Sequence, residues 1–189
     1  MSKIVVTGSA GFIAGYLVQE LLDQGHEVVG LDNYSKYGPI EKSYQNHARY
    51  RFVFGDAKNV ELMRELTADA DHLIACAAMI GGISYFHEFA YDLIAENERI
   101  TAAAFDAAIH AKKHGRLEKV TVLSSSMVFE NATRFPTPES HLAECPPPSS
   151  TYGFQKLACE YFARGAWEQY HARQRSQAYG ISAAVSAVG

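Results

Sequence analysis

Tyr152 and Lys156 stand four residues apart in a segment whose later residues Ala158, Tyr161, Phe162, Ala166 and Tyr170 suit a helix, so both side chains fall on one face, one turn apart. Such a pair can move a proton. A tyrosine ordinarily ionises near pH 10, so a phenol acting as base near neutrality needs its ionisation eased by roughly 4 kcal/mol. A neighbouring ammonium supplies part of that by favouring the phenolate. Ser124, Ser125 and Ser126 follow an apolar run, and the Ser126 hydroxyl is the one expected to hydrogen-bond a reacting hydroxyl. Any amphipathic helix can carry Tyr and Lys at this spacing, so the pair gains meaning only where a second motif delivers a reactant.

That second motif is Thr7-Gly8-Ser9-Ala10-Gly11-Phe12-Ile13-Ala14, which directly follows the β-branched run Lys3 to Thr7. After it, Ile13, Leu17 and Leu21 recur at helical spacing beside Val18 and Leu22, and Gly25 stands where a helix would end. Strand, glycine turn and helix in this order make a bed for a dinucleotide. Gly8 permits a sharp turn, Gly11 lets backbone N–H groups approach a pyrophosphate, and Ala14 fills the third small position. A second strand, Glu27 to Leu31, ends at Asp32, where a carboxylate can accept hydrogen bonds from ribose hydroxyls. Asp32 would repel a 2′-phosphate, so the expected cofactor is NAD and not NADP. The cationic ring of an oxidised nicotinamide would further favour a phenolate, and Lys156 could hold the nicotinamide ribose hydroxyls.

The elements that must position these groups alternate along the chain. Asn33 to Tyr50 reads as a polar loop with at most one short helix; Arg51 to Phe54 reads as a third strand, Lys58 to Thr67 as a helix and His72 to Ala75 as a fourth strand. Cys76 to Gly82 is a small-residue segment at the ligand-bearing edge of the sheet. Tyr91 to His114 reads as one long packed helix with Ile100, Ala104, Ala107, Ala108 and Ala111 on one side, closed by Gly115. Lys119 to Leu123 is a fifth strand that carries the serines to the same edge. Five prolines between Asn131 and Ser150 make that stretch mostly loop, and Ser149, Ser150 and Thr151 offer caps for the helix of Tyr152. The class is therefore α/β with a parallel sheet.

These motifs in register resemble the extended short-chain dehydrogenase/reductase superfamily, and within it the NAD-dependent epimerase/dehydratase family that acts on nucleotide sugars. The resemblance implies a Rossmann-type doubly wound sheet of order 3-2-1-4-5-6. It implies that Gly8, Gly11, Phe12 and Ile13 cradle the pyrophosphate, that Asp32 and Asn33 take the adenosine ribose, and that Asp56 and Ala57 sit against adenine. Ala77, Ala78 and Ser124 would line the nicotinamide side, Asn97 would position loops there, and Met79 to Ile83 looks like a substrate loop. Ser126, Tyr152 and Lys156 match the catalytic set: substrate partner, base and organiser. The implied reaction oxidises a sugar hydroxyl to a keto-sugar; return of the hydride gives an epimer, and prior loss of water gives a dehydratase. Epimerase is favoured, because Met127 stands where dehydratases of the family tend to carry an acidic pair. A homodimer packed through helices is a further implied partner.

Composition narrows the alternatives. With 189 residues, 48% of them hydrophobic, and a net charge of −4, the chain is expected to be one domain with no basic field for nucleic acid. No apolar run is long enough for a membrane, and the first strand begins almost at Met1, so a cytoplasmic location is expected. Cys76, Cys145 and Cys159 lack metal or redox spacing and read as reduced thiols, two of them buried. His110 and His114 read as a solvated helix face, and no metal is expected. The aromatic group Tyr85, Phe86, His87 and Phe89 suits core or lid packing, or stacking on a base. Members of the family continue well past the Tyr-Lys motif into a substrate-binding region and usually carry an Arg-Pro-x-Asn segment. Here His171 to Tyr179 is polar, and Ile181 to Gly189, a candidate sixth strand, has no Arg, Pro or Asn. The expectation is a single NAD-binding domain over residues 1–189, with that substrate region largely absent. A truncated NAD-binding domain without turnover stands as the alternative to an enzyme.

Overall fold

The computed structural model describes residues 1–171 and 182–188. Its centre is a parallel six-stranded sheet: β1 (Lys3–Thr7), β2 (Glu27–Asp32), β3 (Tyr50–Phe54), β4 (His72–Ala75), β5 (Lys119–Ser125) and β6 (Ser182–Val188), in spatial order β3-β2-β1-β4-β5-β6. This is the doubly wound order the sequence implies. Among the described residues five α-helices accompany it: α1 (Phe12–Asp23), α2 (Val60–Thr67), α3 (Ile83–Glu88), α4 (Ala90–His114) and α5 (Thr151–His171). β6 pairs with β5 from Ser182 opposite Lys119 to Val188 opposite Ser125. The polar stretch noted in the sequence falls, from residue 172 on, outside the described residues.

Alternation along β1 divides the interior in two, because successive side chains of a strand point to opposite faces. Val5 enters a core with Met63, Leu73, Leu117 and the buried alanines of α4 and α5. Ile4 and Val6 enter the other, with Ala14, Val18 and Leu22 of α1 and Tyr44. Ala104, Ala107, Ala108 and Ala111 keep α4 close to the sheet, and the rings of Phe105 on α4 and Phe162 on α5 stack at 6.0 Å. Helix α2 starts later than its sequence suggests, because the Asn59 side chain accepts the Leu62 N–H at 3.1 Å and so ends the loop there. Helix α5 is capped by Ser150, whose Oγ accepts the Gly153 N–H at 3.0 Å.

Three details depart from expectation. Helix α1 buries Ala14, Gly15, Val18 and Leu22, while Ile13 is exposed and Leu17 and Leu21 are half-buried, so its inward face starts from two small residues and not from Ile13. The segment 33–49 is a loop of turns, as expected, but its Tyr44 is a core residue whose hydroxyl donates to the Ser9 carbonyl at 3.1 Å. Ile83–Glu88 forms a short helix, with the Tyr85 and Phe89 rings 4.6 Å apart. Among the described residues no helix is long and apolar enough to cross a membrane, and no cluster of three His, Cys, Asp or Glu could hold a metal.

Candidate cofactor and active site

The strand order reverses between β1 and β4, the switch point at which an open parallel sheet receives its ligands. A cleft of about 620 Å³ runs along this carboxyl edge, within the range of small-molecule and cofactor sites. Its floor is the glycine turn. Gly8 adopts φ +69°, and a Cβ there would lie 2.9 Å from both the Cα and the N of Ala77. The turn and the loop after β4 are therefore packed backbone to backbone, and the Ala77 N–H donates to Thr7 Oγ1 at 3.1 Å. Gly11 precedes α1 with extended backbone, so the first N–H groups of that helix open toward the cleft.

Asp32 ties this floor to the next loop. Its Oδ2 accepts the Ala10 N–H at 3.0 Å and its Oδ1 accepts the Tyr34 N–H at 2.7 Å. Each oxygen keeps a further lone pair for a ligand. Asn33, Asp56 and Ala57 line the same end of the cleft. Lys58 crosses from Asp56, at 3.6 Å, to Glu96 of α4, and that pairing raises the lysine's pKa and lowers the glutamate's. Lys36 donates to the Ile80 carbonyl at 2.6 Å, which joins the loop after β2 to the loop after β4 across the mouth.

At the far end stand Ala77, Ala78, Ser124, Tyr152 and Lys156. Tyr152 and Lys156 are buried, with Lys156 Nζ 6.0 Å from the centroid of the Tyr152 ring. Lys156 Nζ donates to the Leu123 carbonyl at 2.9 Å, and burial pushes its pKa below the ordinary lysine value. Cys76, which also lines the cleft, and Cys159, which shares a small neighbouring pocket with Cys76 and Lys156, are pushed the other way by burial, Cys76 up to about 12. A raised thiol pKa supports the fold below the ordinary thiol range and loses that support as pH climbs toward the folded value. At pH 8, Cys76 is therefore expected to react with iodoacetamide about a thousandfold more slowly than a free cysteine, as read by peptide mass spectrometry. Alkylation of native Cys76 at a free-cysteine rate would contradict this environment.

The structure thus brings Gly8, Gly11, Phe12, Ile13, Asp32, Asn33, Asp56, Ala57, Ala77, Ala78, Ser124, Tyr152 and Lys156 to one cleft. Asn97 and Ser126 are elsewhere. Asn97 lies buried behind the wall, where its amide accepts the Met79 N–H at 2.7 Å and donates to the Met79 carbonyl at 2.9 Å, clamping that loop. Ser126 is exposed at the start of a 3₁₀ turn, Ser126–Phe129, and does not line the cleft, whereas Ser125 is buried and its Oγ accepts the Met127 N–H at 3.2 Å. Sequence reasoning passed over Tyr44 and Glu160. The Glu160 carboxylate accepts the Ser124 hydroxyl, and its position one turn beyond Lys156 was the available signal.

Fold and cleft together define a dinucleotide-binding α/β domain with a Tyr-Lys pair at one end of its ligand groove. Residues 4–177 match the NAD dependent epimerase/dehydratase family, and the chain belongs to it. NAD is the cofactor of that family. Among similar proteins is the low-salt glycan biosynthesis protein Agl12 of Haloferax volcanii, 36% identical over 57% of this chain and 36% of its own length. The dTDP-D-glucose 4,6-dehydratase of Homo sapiens is 25% identical over 89% of this chain and 47% of its own. The UDP-glucose 4-epimerase of Thermotoga maritima, solved with UDP-glucose, superposes with a TM-score of 0.74 at 26% identity over 97% of this chain and 54% of that one. The chain therefore spans about half, or less, of the length of these relatives.

Proposed function

We propose that this chain binds NAD along the cleft and supplies the hydride-transfer half of a nucleotide-sugar epimerase or dehydratase. The observation that supports this most is the continuity of one groove from Asp32 to Lys156, floored by a turn that a Cβ at Gly8 would obstruct. Backbone N–H groups at the start of α1 hold the pyrophosphate, Asp32 and Asn33 the adenosine ribose, and Asp56 and Ala57 the adenine. Ala77 and Ala78 flank the nicotinamide, and Asn97 keeps their loop in place through Met79.

When bound, NAD accepts a hydride from a sugar carbon and later returns it. Tyr152 takes the proton of the sugar hydroxyl as the carbon is oxidised, leaving a keto-sugar, and gives it back in the reverse step. Lys156 holds the nicotinamide ribose and favours the phenolate. Ser126, exposed beside this end of the sheet, is the partner proposed for the reacting hydroxyl. Epimerisation is preferred to dehydration because Met127 supplies no acid for loss of water. The whole chain serves as one NAD-binding domain in this reading, and a homodimer through the helices is its proposed partner.

Calorimetry tests the binding step: NAD is expected to bind with micromolar or weaker affinity, and NADP at least about a hundredfold more weakly, because of Asp32. Asp32→Ala is expected to weaken NAD about tenfold, since it also releases the Ala10 and Tyr34 N–H groups. No binding of NAD at millimolar concentration would end this proposal. Turnover is tested by adding UDP-, GDP- and dTDP-sugars to the NAD complex and following nicotinamide absorbance. Binding without reduction or product would favour a cofactor-binding domain that does not turn over alone.

A further inference from the structure

Glu160 has no place in the chemistry above, yet it holds a residue of the cleft wall. Tyr152, Lys156 and Glu160 are successive turns of one stripe on α5, and each of the last two grips the end of β5: Lys156 the Leu123 carbonyl, Glu160 the Ser124 hydroxyl. Ser124 is 4% exposed and lines the cleft, whereas Glu160 does not. A hydroxyl has one proton to give and two lone pairs to offer. With its proton committed to the Glu160 carboxylate, Ser124 can only accept from the cleft side. Lys156, by contrast, has no lone pair and can only donate. An acceptor at the end of β5 and a donor on the facing turn of α5 match a ligand group that both accepts and donates, as a ribose hydroxyl does.

We propose that Glu160 is a positioning residue that fixes Ser124 as an acceptor, so that Ser124 and Lys156 together receive a hydroxyl of the nicotinamide-side ribose. This rests on the NAD reading given above. Cofactor recognition at this end then depends on the polarity of one serine, set from behind by a carboxylate that never meets the ligand. The amide of glutamine can accept the same proton through its oxygen, so Glu160→Gln preserves the arrangement, and Glu160→Ala frees the serine to rotate.

Three ligands separate the possibilities: NAD, ADP-ribose, which keeps the second ribose but lacks nicotinamide, and ADP, which lacks both. In calorimetry, Glu160→Ala is expected to weaken NAD and ADP-ribose about fivefold and to leave ADP within error, with Glu160→Gln close to the parent protein. Ser124→Ala should show the same pattern, and the double variant should lose no more than either single one, since both remove one interaction. Melting temperatures recorded alongside separate this from a general loosening, which would weaken ADP as well. Equal loss for ADP, unchanged NAD affinity in Glu160→Ala, or additive losses in the double variant would each overturn the proposal. Failure of the parent protein to bind NAD would instead remove the cofactor reading on which it rests.

Discussion

Tyr152→Phe is expected to lower turnover by about a thousandfold or more while leaving NAD affinity within about twofold. The substitution removes one oxygen and nothing else of the ring. That ring is buried in the first turn of α5, whose cap at Ser150 and Gly153 is untouched. What disappears is the only proton acceptor proposed for the sugar hydroxyl. An aligned general base is worth about a hundred- to ten-thousandfold, and water cannot replace it readily in a buried position. Single-turnover reduction of bound NAD measures the loss directly. A variant that keeps more than about a tenth of the parent rate would show that another group moves the proton.

The second large effect concerns the floor of the cleft. Gly8→Ala is expected to destabilise the protein by about 3 kcal/mol and to weaken NAD at least about a hundredfold. Two causes add. Positive φ disfavours any L side chain by about 1 kcal/mol, and the new Cβ would meet the Ala77 backbone at 2.9 Å, where no flexible side chain can yield. The two loops must part, and the groove between them changes shape. Gly25 provides the control, because its φ of +86° is equally unfavourable but a Cβ there meets nothing within 4 Å. Gly25→Ala should therefore cost only about 1 kcal/mol and leave NAD affinity unchanged. Chemical denaturation and calorimetry on both variants measure the difference, and equal losses would show that the approach of Ala77 is not what Gly8 accommodates.

Much of this architecture could be read from residue types, and the parts that could not share a cause. Strands β1 to β5 announce themselves as short apolar runs between turns, and the pairing of a glycine turn with Asp32 twenty-odd residues on gives the cofactor edge. The Tyr-Lys spacing gives the other end. On α1 the sequence pattern singles out Val18 and Leu22, which are buried, but misplaces Ile13, because close packing at the start of the helix selects Ala14 and Gly15 over a bulky side chain. Tyr44 escaped because its neighbours are polar, although its hydroxyl has a partner at Ser9 and its ring has the core. Glu160 escaped because a carboxylate on a helix usually faces water, and nothing in its type reveals a serine opposite. Ser126 shows the same limit at finer scale: three identical residues occupy three environments, in the wall, under a turn and in solvent, according to where β5 ends.

The division of the interior by β1 also determines how exactly the cleft is placed. Three successive residues of β1, Ile4, Val5 and Val6, feed two cores on opposite faces, and the strand leads straight into Gly8. A slip of one residue would exchange the occupants of both cores and carry the cofactor bed about 3.3 Å along the strand, away from the loop after β4. Neither core could absorb such an error while the other stayed filled. The position of the cleft is thereby a quantised property of the fold: the chain can place its ligand groove correctly or not fold, and small misalignments are not among the states open to it.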